Sequence, residues 1–213
     1  MSVKTKIIKL NLARVGLEKI RTVAREVSAG GIIVYPADTF YAIGADCFSA
    51  EAVRRVFRLK KRPAGRALPI LVADMDMARA VVSSPPPLFE ELASLFWPGP
   101  LTLVLKAMDG LPSELVGPGW TVAVRLPAVA WLRKLVRETG SPLTATSANL
   151  SGQGEISSAE KAIQVFGNRV DLILDGGETP GGLASTVLDL TAARPRLLRE
   201  GAFPLQKLKR YLS

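Results

Sequence analysis

The segment SPLTATSANLSG, from Ser141 to Gly152, changes from strand-like to turn-like along its length. The part PLTAT has the composition of a short buried strand. The part SANLSG is rich in Ser, Asn and Gly, which are the residues that dominate turns. Five residues with small hydrogen-bonding side chains stand almost side by side here, namely Thr144, Thr146, Ser147, Asn149 and Ser151. The segment therefore predicts a polar loop at the end of a buried strand.

Strands and helices alternate on both sides of this segment. Apolar residues recur at helical spacing over Leu17–Ser28, Gly30 and Gly31 follow as a stop signal, and Ser49 is placed to cap a second helix. The predicted strands are IIVYP, LPILVA, PLTLVLKA, TVAVRLP, PLTAT, DLILDGG, STVLDLT and RLLRE. Further helices are predicted near 76–83 and 88–96 and in VAWLRKLVRETG, SSAEKAIQVFG and PLQKLKRYL. This alternation predicts the α/β class, as one domain over residues 1–213 with a twisted, mixed sheet flanked by helices.

The composition excludes several kinds of catalysis. The chain has 213 residues, of which 48% are hydrophobic and 22% charged, with one cysteine, Cys47, and no histidine. Ser-His-Asp and Cys-His catalysis and the common zinc sites are therefore excluded, and we expect no metal site built by the protein. No apolar run approaches the roughly 18 residues of a membrane span, and the N-terminus does not resemble a secretion signal. We expect a cytoplasmic protein that does not contact a membrane.

The positive charge suggests an anionic partner. The formal net charge is +9, which fits RNA or a phosphorylated small molecule and equally fits a solvated basic surface. Four cations cluster around Pro63, namely Lys60, Lys61, Arg62 and Arg66. Cations also compensate a helix dipole, but this cluster is denser than a dipole requires, so it favours phosphate binding. No P-loop and no G-x-G-x-x-G motif follows a strand, so any nucleotide site must have another architecture.

Polar loops follow three of the predicted strands. They have the sequences ADTFYAIGAD, SANLSG and GGETPGGLAST, and Arg125 lies near the end of the strand TVAVR. Ligands of open α/β sheets bind at the carboxyl ends of strands. The loops therefore predict a ligand site, although ordinary turn chemistry remains the alternative for any one of them.

Seven motifs occur in the order seen in one protein family. They are VYPADTFYAIGAD, LKKRPAGRALP, WPGPLTLVL, TVAVRLP, TSANLSG, STVLDL and LREGA, and they extend over about residues 17–202. In this the chain resembles the YrdC/TsaC-like threonylcarbamoyl-AMP synthases, in their short, single-domain form. The resemblance implies that L-threonine, bicarbonate and ATP are joined and pyrophosphate is released. It also implies partner proteins that transfer the threonylcarbamoyl group to tRNA, and Mg²⁺ held mainly by the ATP phosphates.

The resemblance also implies roles for individual residues. The family's K-x-R and S-x-N elements correspond to Lys60 and Arg62, which would be catalytic, and to Ser147 and Asn149. The ATP-binding residues would be Lys60, Arg62, Arg66, Thr121, Ser147, Asn149 and Arg199. The threonine-binding residues would be Thr39, Arg125, Ala145 and Ser185. Three positions depart from the family pattern: Ala37 and Leu71, where polar residues are common, and the segment QGEIS at 153–157.

Three alternatives stay open at this point. Arg125 could form a structural ion pair with Asp38 or Asp46 instead of binding a substrate carboxylate. The chain could be an RNA-binding module, although aromatic residues make up only 6% of it and no RRM-type stacking motif occurs. It could also be a related carbamoyl-transfer domain or an inactive paralogue, although both residue pairs of the family signature are intact.

Overall fold

The computed structural model describes residues 4–61, 67–150 and 154–212. The strands are β1 (Lys6–Lys9), β2 (Ile33–Pro36), β3 (Tyr41–Gly44), β4 (Pro69–Leu71), β5 (Leu101–Lys106), β6 (Thr121–Arg125), β7 (Leu143–Thr144), β8 (Thr146–Ser147), β9 (Leu172–Asp175), β10 (Thr186–Asp189) and β11 (Arg196–Arg199). The helices are α1 (Leu17–Ser28), α2 (Ala50–Lys60), α3 (Met75–Arg79), α4 (Pro87–Phe96), α5 (Ala130–Thr139), α6 (Ala159–Phe166) and α7 (Lys209–Leu212), with a 3₁₀ turn at Leu205–Lys207.

The strands form two sheets, both of mixed direction. The first sheet has the order β1-β9-β2-β3-β8, with its first two pairings parallel and its last two antiparallel. The second sheet has the order β11-β10-β5-β6-β4-β7, in which the β10–β5 and β6–β4 pairings are parallel. The predicted α/β class with mixed strand directions is confirmed. The structure divides the strands between two sheets where we expected one.

The segment PLTAT joins the two sheets instead of forming one strand. β7 pairs with β4 in the second sheet, whereas β8 pairs with β3 in the first. Between them, the Ala145 N–H donates to the Pro69 carbonyl at 2.7 Å. Thr144 anchors the crossing, because its N–H donates to Ala45 O at 2.8 Å and its Oγ1 accepts from Ala45 N at 2.9 Å. The polar loop that follows is thereby held where the two sheets meet.

Several local predictions are confirmed. α1 has the predicted bounds, and Gly30 follows it with a φ of +86°. Ser49 caps α2, since its Oγ accepts from the Ala52 N–H at 3.3 Å. α5 ends at Gly140, which has a φ of +71° as a left-handed cap requires.

Two local predictions are wrong, and one strand was not predicted. The segment after β2 is not all loop, because β3 forms a hairpin with β2. All four residues of β3 are buried, so its sequence lacks the alternation of apolar and polar residues that indicates a strand. β1 was not predicted, because it is a short edge strand with two lysines and mostly exposed side chains. The terminal helix is broken into the 3₁₀ turn and α7.

The second sheet has one face in the core and one face directed to a cleft. In β5 the side chains of Leu101, Leu103 and Leu105 belong to the larger apolar cluster, together with residues of α2, α4 and α6. The alternate residues Thr102 and Val104 line the cleft. A smaller apolar cluster packs α1 and α5 against β2, β4 and β9. The alternation of β5 therefore exposes a hydroxyl to the cleft from within a buried strand.

Candidate functional site

A cleft of about 370 Å³ lies between the two sheets. The second sheet contributes Thr102, Val104, Ala123, Arg125 and Val187 to its lining. The first sheet and its loops contribute residues 35 and 37–42, and the crossing segment contributes residues 145–147. The cleft is thus built where the sequence predicts a ligand site, at the ends of β2, β6 and β8.

Six of the predicted site residues line this cleft. They are the four candidates for threonine binding, Thr39, Arg125, Ala145 and Ser185, and two candidates for ATP binding, Ser147 and Arg199. Lys60, Thr121 and Asn149 are described but are not part of the lining. Arg62 and Arg66 lie outside the described residues. The structure therefore brings all four threonine candidates together in one cleft. Of the described ATP candidates, it places two in the same lining and three outside it.

Lys60 connects the two elements of the predicted signature. It ends α2, is 2% exposed, and donates to the carbonyls of Ser147 and Asn149 and to Asn149 Oδ1, the last two at 2.9 Å. Ser147 Oγ donates to the same Asn149 Oδ1 at 2.7 Å. A buried ammonium requires such acceptors, and the loop supplies them. Lys60 therefore fixes the conformation of the loop as well as its electrostatic environment.

Arg125 is paired with Asp38. Its Nη2 donates to the Asp38 carboxylate, and its Nε donates to the Gly99 carbonyl at 2.9 Å. The side chains of Arg125 and Asp38 are 12% and 24% exposed. The alternative of a structural ion pair is therefore present, with Asp38 and not with Asp46. No residue in the described ranges accepts a hydrogen bond from Nη1, so the guanidinium keeps donors for a further anion.

A second arginine enters the cleft beside Ser185. Arg199 donates to the Ser185 carbonyl from Nε at 3.0 Å and from Nη2 at 2.8 Å, and Nη2 also contacts Ser185 Oγ at 3.2 Å. The Thr102 and Ser185 hydroxyl oxygens lie 2.8 Å apart. Burial lowers the pKa of the Arg199 guanidinium; the Glu155 carboxylate opposes this shift, and the positive charge of Arg125 adds to it. The two arginines thus act on each other within one cleft.

Thr121 lies at the other end of β6 from Arg125. Strand alternation puts its side chain on the face of Ala123 and Arg125, about 13 Å along the strand from Arg125. Its hydroxyl donates to the Pro118 carbonyl at 3.3 Å. Thr121 is therefore separated from Arg125 by the length of the strand.

Sequence reasoning gave no role in ligand binding to several polar residues of the lining. Tyr35, Asp38, Thr102 and Glu155 all line the cleft. Thr102 could have been found from the sequence, because it has a hydroxyl group inside the otherwise aliphatic strand LTLVL. Glu155 lies in the segment 153–157 that departs from the family pattern.

The two other departures also fall in the cleft. Ala37 and Leu71 both line it, so the lining is apolar at two positions where the resemblance implied polar groups. The departures thus concern the site itself and not remote parts of the fold.

The comparisons with known proteins establish the family. Residues 25–201 match the Sua5–YciO–YrdC family model, which is described as "Telomere recombination". The chain belongs to this family. It is 39% identical over 194 residues to the threonylcarbamoyl-AMP synthase of Pyrococcus abyssi, with 91% of this chain and 57% of that protein covered. It is 37% identical over 188 residues to a putative threonylcarbamoyl-AMP synthase of Mycobacterium tuberculosis, with 87% and 85% covered.

Solved structures agree with this assignment. The crystal structure of P. abyssi Sua5 complexed with L-threonine superposes with a TM-score of 0.90 at 37% identity, with 98% of this chain and 61% of that chain covered. E. coli YciO superposes with a TM-score of 0.84 at 27% identity, with 96% and 98% covered. The chain thus spans little more than half of the P. abyssi synthase sequence that it resembles.

Two features are absent from the part of the chain that the structure describes. In the ranges 4–61, 67–150 and 154–212, no three side chains of His, Cys, Asp or Glu are grouped so that they could hold a metal ion. No helix in the same ranges has the length and apolar character needed to cross a membrane.

Proposed function

We propose that the chain is an L-threonylcarbamoyladenylate synthase, which makes threonylcarbamoyl-AMP and pyrophosphate from L-threonine, bicarbonate and ATP. One observation carries the proposal. The four residues expected to bind threonine line one cleft, in a chain that superposes over 98% of its length on a relative crystallised with L-threonine.

The amino acid is proposed to bind at the Arg125 end of the cleft. Arg125 would hold the carboxylate with the guanidinium donors that Asp38 and Gly99 leave unused. The Thr39 side chain makes no hydrogen bond to any described residue, so its hydroxyl is available to a small polar ligand. Ser185 and Ala145 would complete the walls, with Ser185 held in place by Arg199.

The nucleotide is proposed to bind on the side of the Lys60 loop. Lys60 orders Ser147 and Asn149, and Arg62 and Arg66 would contact the phosphates. Arg199 would contact the nucleotide from the opposite wall, and Thr121 would do so from the far end of β6. Mg²⁺ would be held mainly by the phosphates and would neutralise their charge.

The reaction needs positioning and charge stabilisation more than side-chain chemistry. The amine of threonine attacks bicarbonate, water leaves, and a carbamate forms. A carbamate oxygen then attacks the α-phosphorus of ATP, and the bond to the β,γ-pyrophosphate breaks. The substrates are all anions or carry carboxylates, so the cations on both sides of the cleft favour their assembly. A chain without histidine can therefore support this reaction.

The proposal extends to the steps that follow. The adenylate would pass to threonylcarbamoyl-transfer proteins that modify tRNA in the cytoplasm. The net charge of +9 also supports direct contact with tRNA. Filter binding of tRNA with and without ATP tests that contact: binding that does not depend on ATP, in a protein that makes no adenylate, would favour the RNA-binding alternative.

The test of the activity is pyrophosphate release from ATP with bicarbonate, with L-threonine present or omitted. We expect release only when all three substrates are present. Release that is independent of threonine would contradict the proposal.

A further inference from the structure

Tyr35 has a buried hydroxyl group that is not satisfied within the protein. The residue lies in β2, is 0% exposed, and lines the cleft between the sheets. Across the described ranges, no atom forms a hydrogen bond with its hydroxyl. Buried polar groups in folded proteins almost always have partners, so an unpartnered one on a residue that lines a ligand cleft indicates a partner that arrives with the ligand.

The ring of Tyr35 is firmly held, which fixes the direction of the hydroxyl. Across the β2–β3 hairpin Tyr35 is paired with Ala42. A Cβ atom on Gly44 would lie only 2.8 Å from Tyr35 Cε1, so the ring packs directly on the β3 backbone. The ring also belongs to the smaller apolar cluster with Leu71 and Leu132, which line the cleft as well. The hydroxyl therefore cannot turn to solvent for a partner.

Tyr35 and the Arg125–Asp38 ion pair belong to the lining of the same cleft. Burial raises the pKa of the Tyr35 hydroxyl; the charge of Arg125 lowers this pKa and the charge of Asp38 raises it. The net shift is upward, so the O–H proton is retained at neutral pH. A protonated phenol and a guanidinium with unused donors together suit an anionic oxygen.

Tyr41 provides a direct contrast in the same cleft. Its hydroxyl donates to the Gly177 carbonyl at 2.8 Å and accepts from the Gly176 N–H at 3.1 Å. The hydroxyl of Tyr41 therefore supports the loop after β9. Tyr35 and Tyr41 are both fully buried tyrosines, and they differ in whether the fold satisfies the hydroxyl.

We propose that Tyr35 is a further residue of the amino-acid site, and that its hydroxyl donates a hydrogen bond to the substrate carboxylate that Arg125 holds. This inference rests on the proposed function, because it assigns the carboxylate to an amino-acid substrate. It makes Tyr35 a determinant of affinity for the amino acid and gives it no part in binding the nucleotide.

The test is Tyr35→Phe, which keeps the ring and removes only the hydroxyl. We expect the dissociation constant for L-threonine, measured by calorimetry without ATP or bicarbonate, to rise about ten- to a hundredfold. The dissociation constant for ATP should not change. The melting temperature of the unliganded protein should be unchanged or higher, because a buried unsatisfied group is removed. Tyr41→Phe is the matched control, and its melting temperature should fall because its hydroxyl has two partners.

Two results would overturn the inference. One is an L-threonine affinity of Tyr35→Phe within about fivefold of the wild type. The other is a fall in melting temperature as large as that of Tyr41→Phe, because the hydroxyl would then have a structural partner. If the wild type releases pyrophosphate only with threonine and Tyr35→Phe binds threonine normally, only this inference fails. If the wild type binds no L-threonine, the proposed function fails with it.

Discussion

At the scale of single residues, Arg125 is the residue that must interact with two anions at once. It is paired with Asp38 in the unliganded protein and is proposed to bind the substrate carboxylate as well. A guanidinium can donate hydrogen bonds to both carboxylates, because its donors point in several directions within one plane. A lysine ammonium is a point charge and cannot reproduce that geometry.

Arg125→Lys should therefore raise the KM for threonine about ten- to a hundredfold and leave the KM for ATP nearly unchanged. The measurement is pyrophosphate release with each substrate varied in turn. Arg21→Lys is the control, because Arg21 is paired with Glu138 on the surface and lies outside the cleft. A variant whose dependence on threonine matches the wild type would exclude Arg125 from the amino-acid site.

Lys60 is the residue for which the structure adds most to the sequence. Lys60→Ala should abolish adenylate formation and also lower the free energy of unfolding by about 1–3 kcal/mol, because buried loop acceptors lose their donor. Urea unfolding and pyrophosphate release measure the two effects. Lys134→Ala, which removes an exposed cation of α5 outside the cleft, should change neither by a comparable amount. Full activity in Lys60→Ala would remove Lys60 from the site.

At the scale of secondary-structure elements, Gly201 lets the chain after β11 approach the wall of the cleft. A Cβ at this position would lie 2.2 Å from the Ala184 carbonyl oxygen and 2.7 Å from the Ser185 carbonyl oxygen. No side chain fits there without displacement of backbone. Ser185 and its partner Arg199 are the groups that such a displacement would move.

Gly201→Ala should therefore destabilise the fold by about 1–3 kcal/mol and weaken threonine binding. Chemical unfolding and calorimetry are the measurements. Gly16→Ala is the matched control, because nothing lies within 4 Å of its added Cβ. Equal stability of both variants would show that the chain after β11 shifts freely.

The elements also show which features the sequence could predict. α1, α2 and α5 have regular apolar spacing with clear caps or stops, so local physics determines them. β3 and β8 could not be found in this way. β3 is buried on both faces and β8 has only two residues, so tertiary pairing defines both strands. The crossing between sheets within PLTAT depends on Pro69 and Ala45, which lie far away in the sequence.

The same distinction applies to the candidate site. Thr39, Arg125, Ala145 and Ser185 were found because they belong to motifs that can be matched one by one. Tyr35 was not chosen, and Asp38 was considered only as a structural partner of Arg125, because their significance lies in what surrounds them. Whether a hydroxyl has a partner, and which aspartate an arginine contacts, are properties of the folded chain alone.

At the scale of the whole molecule, acid should destabilise the protein partly through Asp189. Burial alone would raise the pKa of Asp189, but bonds from Thr191 and from Arg196 outweigh it, so the pKa is lowered. A lowered folded-state pKa gives stability that is present above the unfolded-state pKa and is lost as the pH falls through the folded value.

Asp189→Asn should therefore lose less unfolding free energy than the wild type between about pH 5 and about pH 2. Urea unfolding across that range is the measurement. Asp109→Asn is the control, because Asp109 is exposed and makes no ion pair with any described residue. If Asp189→Asn and the wild type have parallel pH profiles, the carboxylate does not contribute to acid sensitivity.

The organisation of residues 1–213 as one domain stays a prediction. Both sheets contribute to the cleft and to the larger apolar cluster, which supports it. Limited proteolysis that yields two stable fragments, each with one sheet, would contradict it.

The central claim is that this cleft joins threonine to AMP through a carbon atom taken from bicarbonate. The most direct measurement is mass spectrometry of the products formed from ATP, L-threonine and ¹³C-bicarbonate. The account predicts threonylcarbamoyl-AMP that carries the label, and no such product when threonine is omitted. Consumption of ATP without a labelled adduct, or no reaction with all three substrates present, would contradict it.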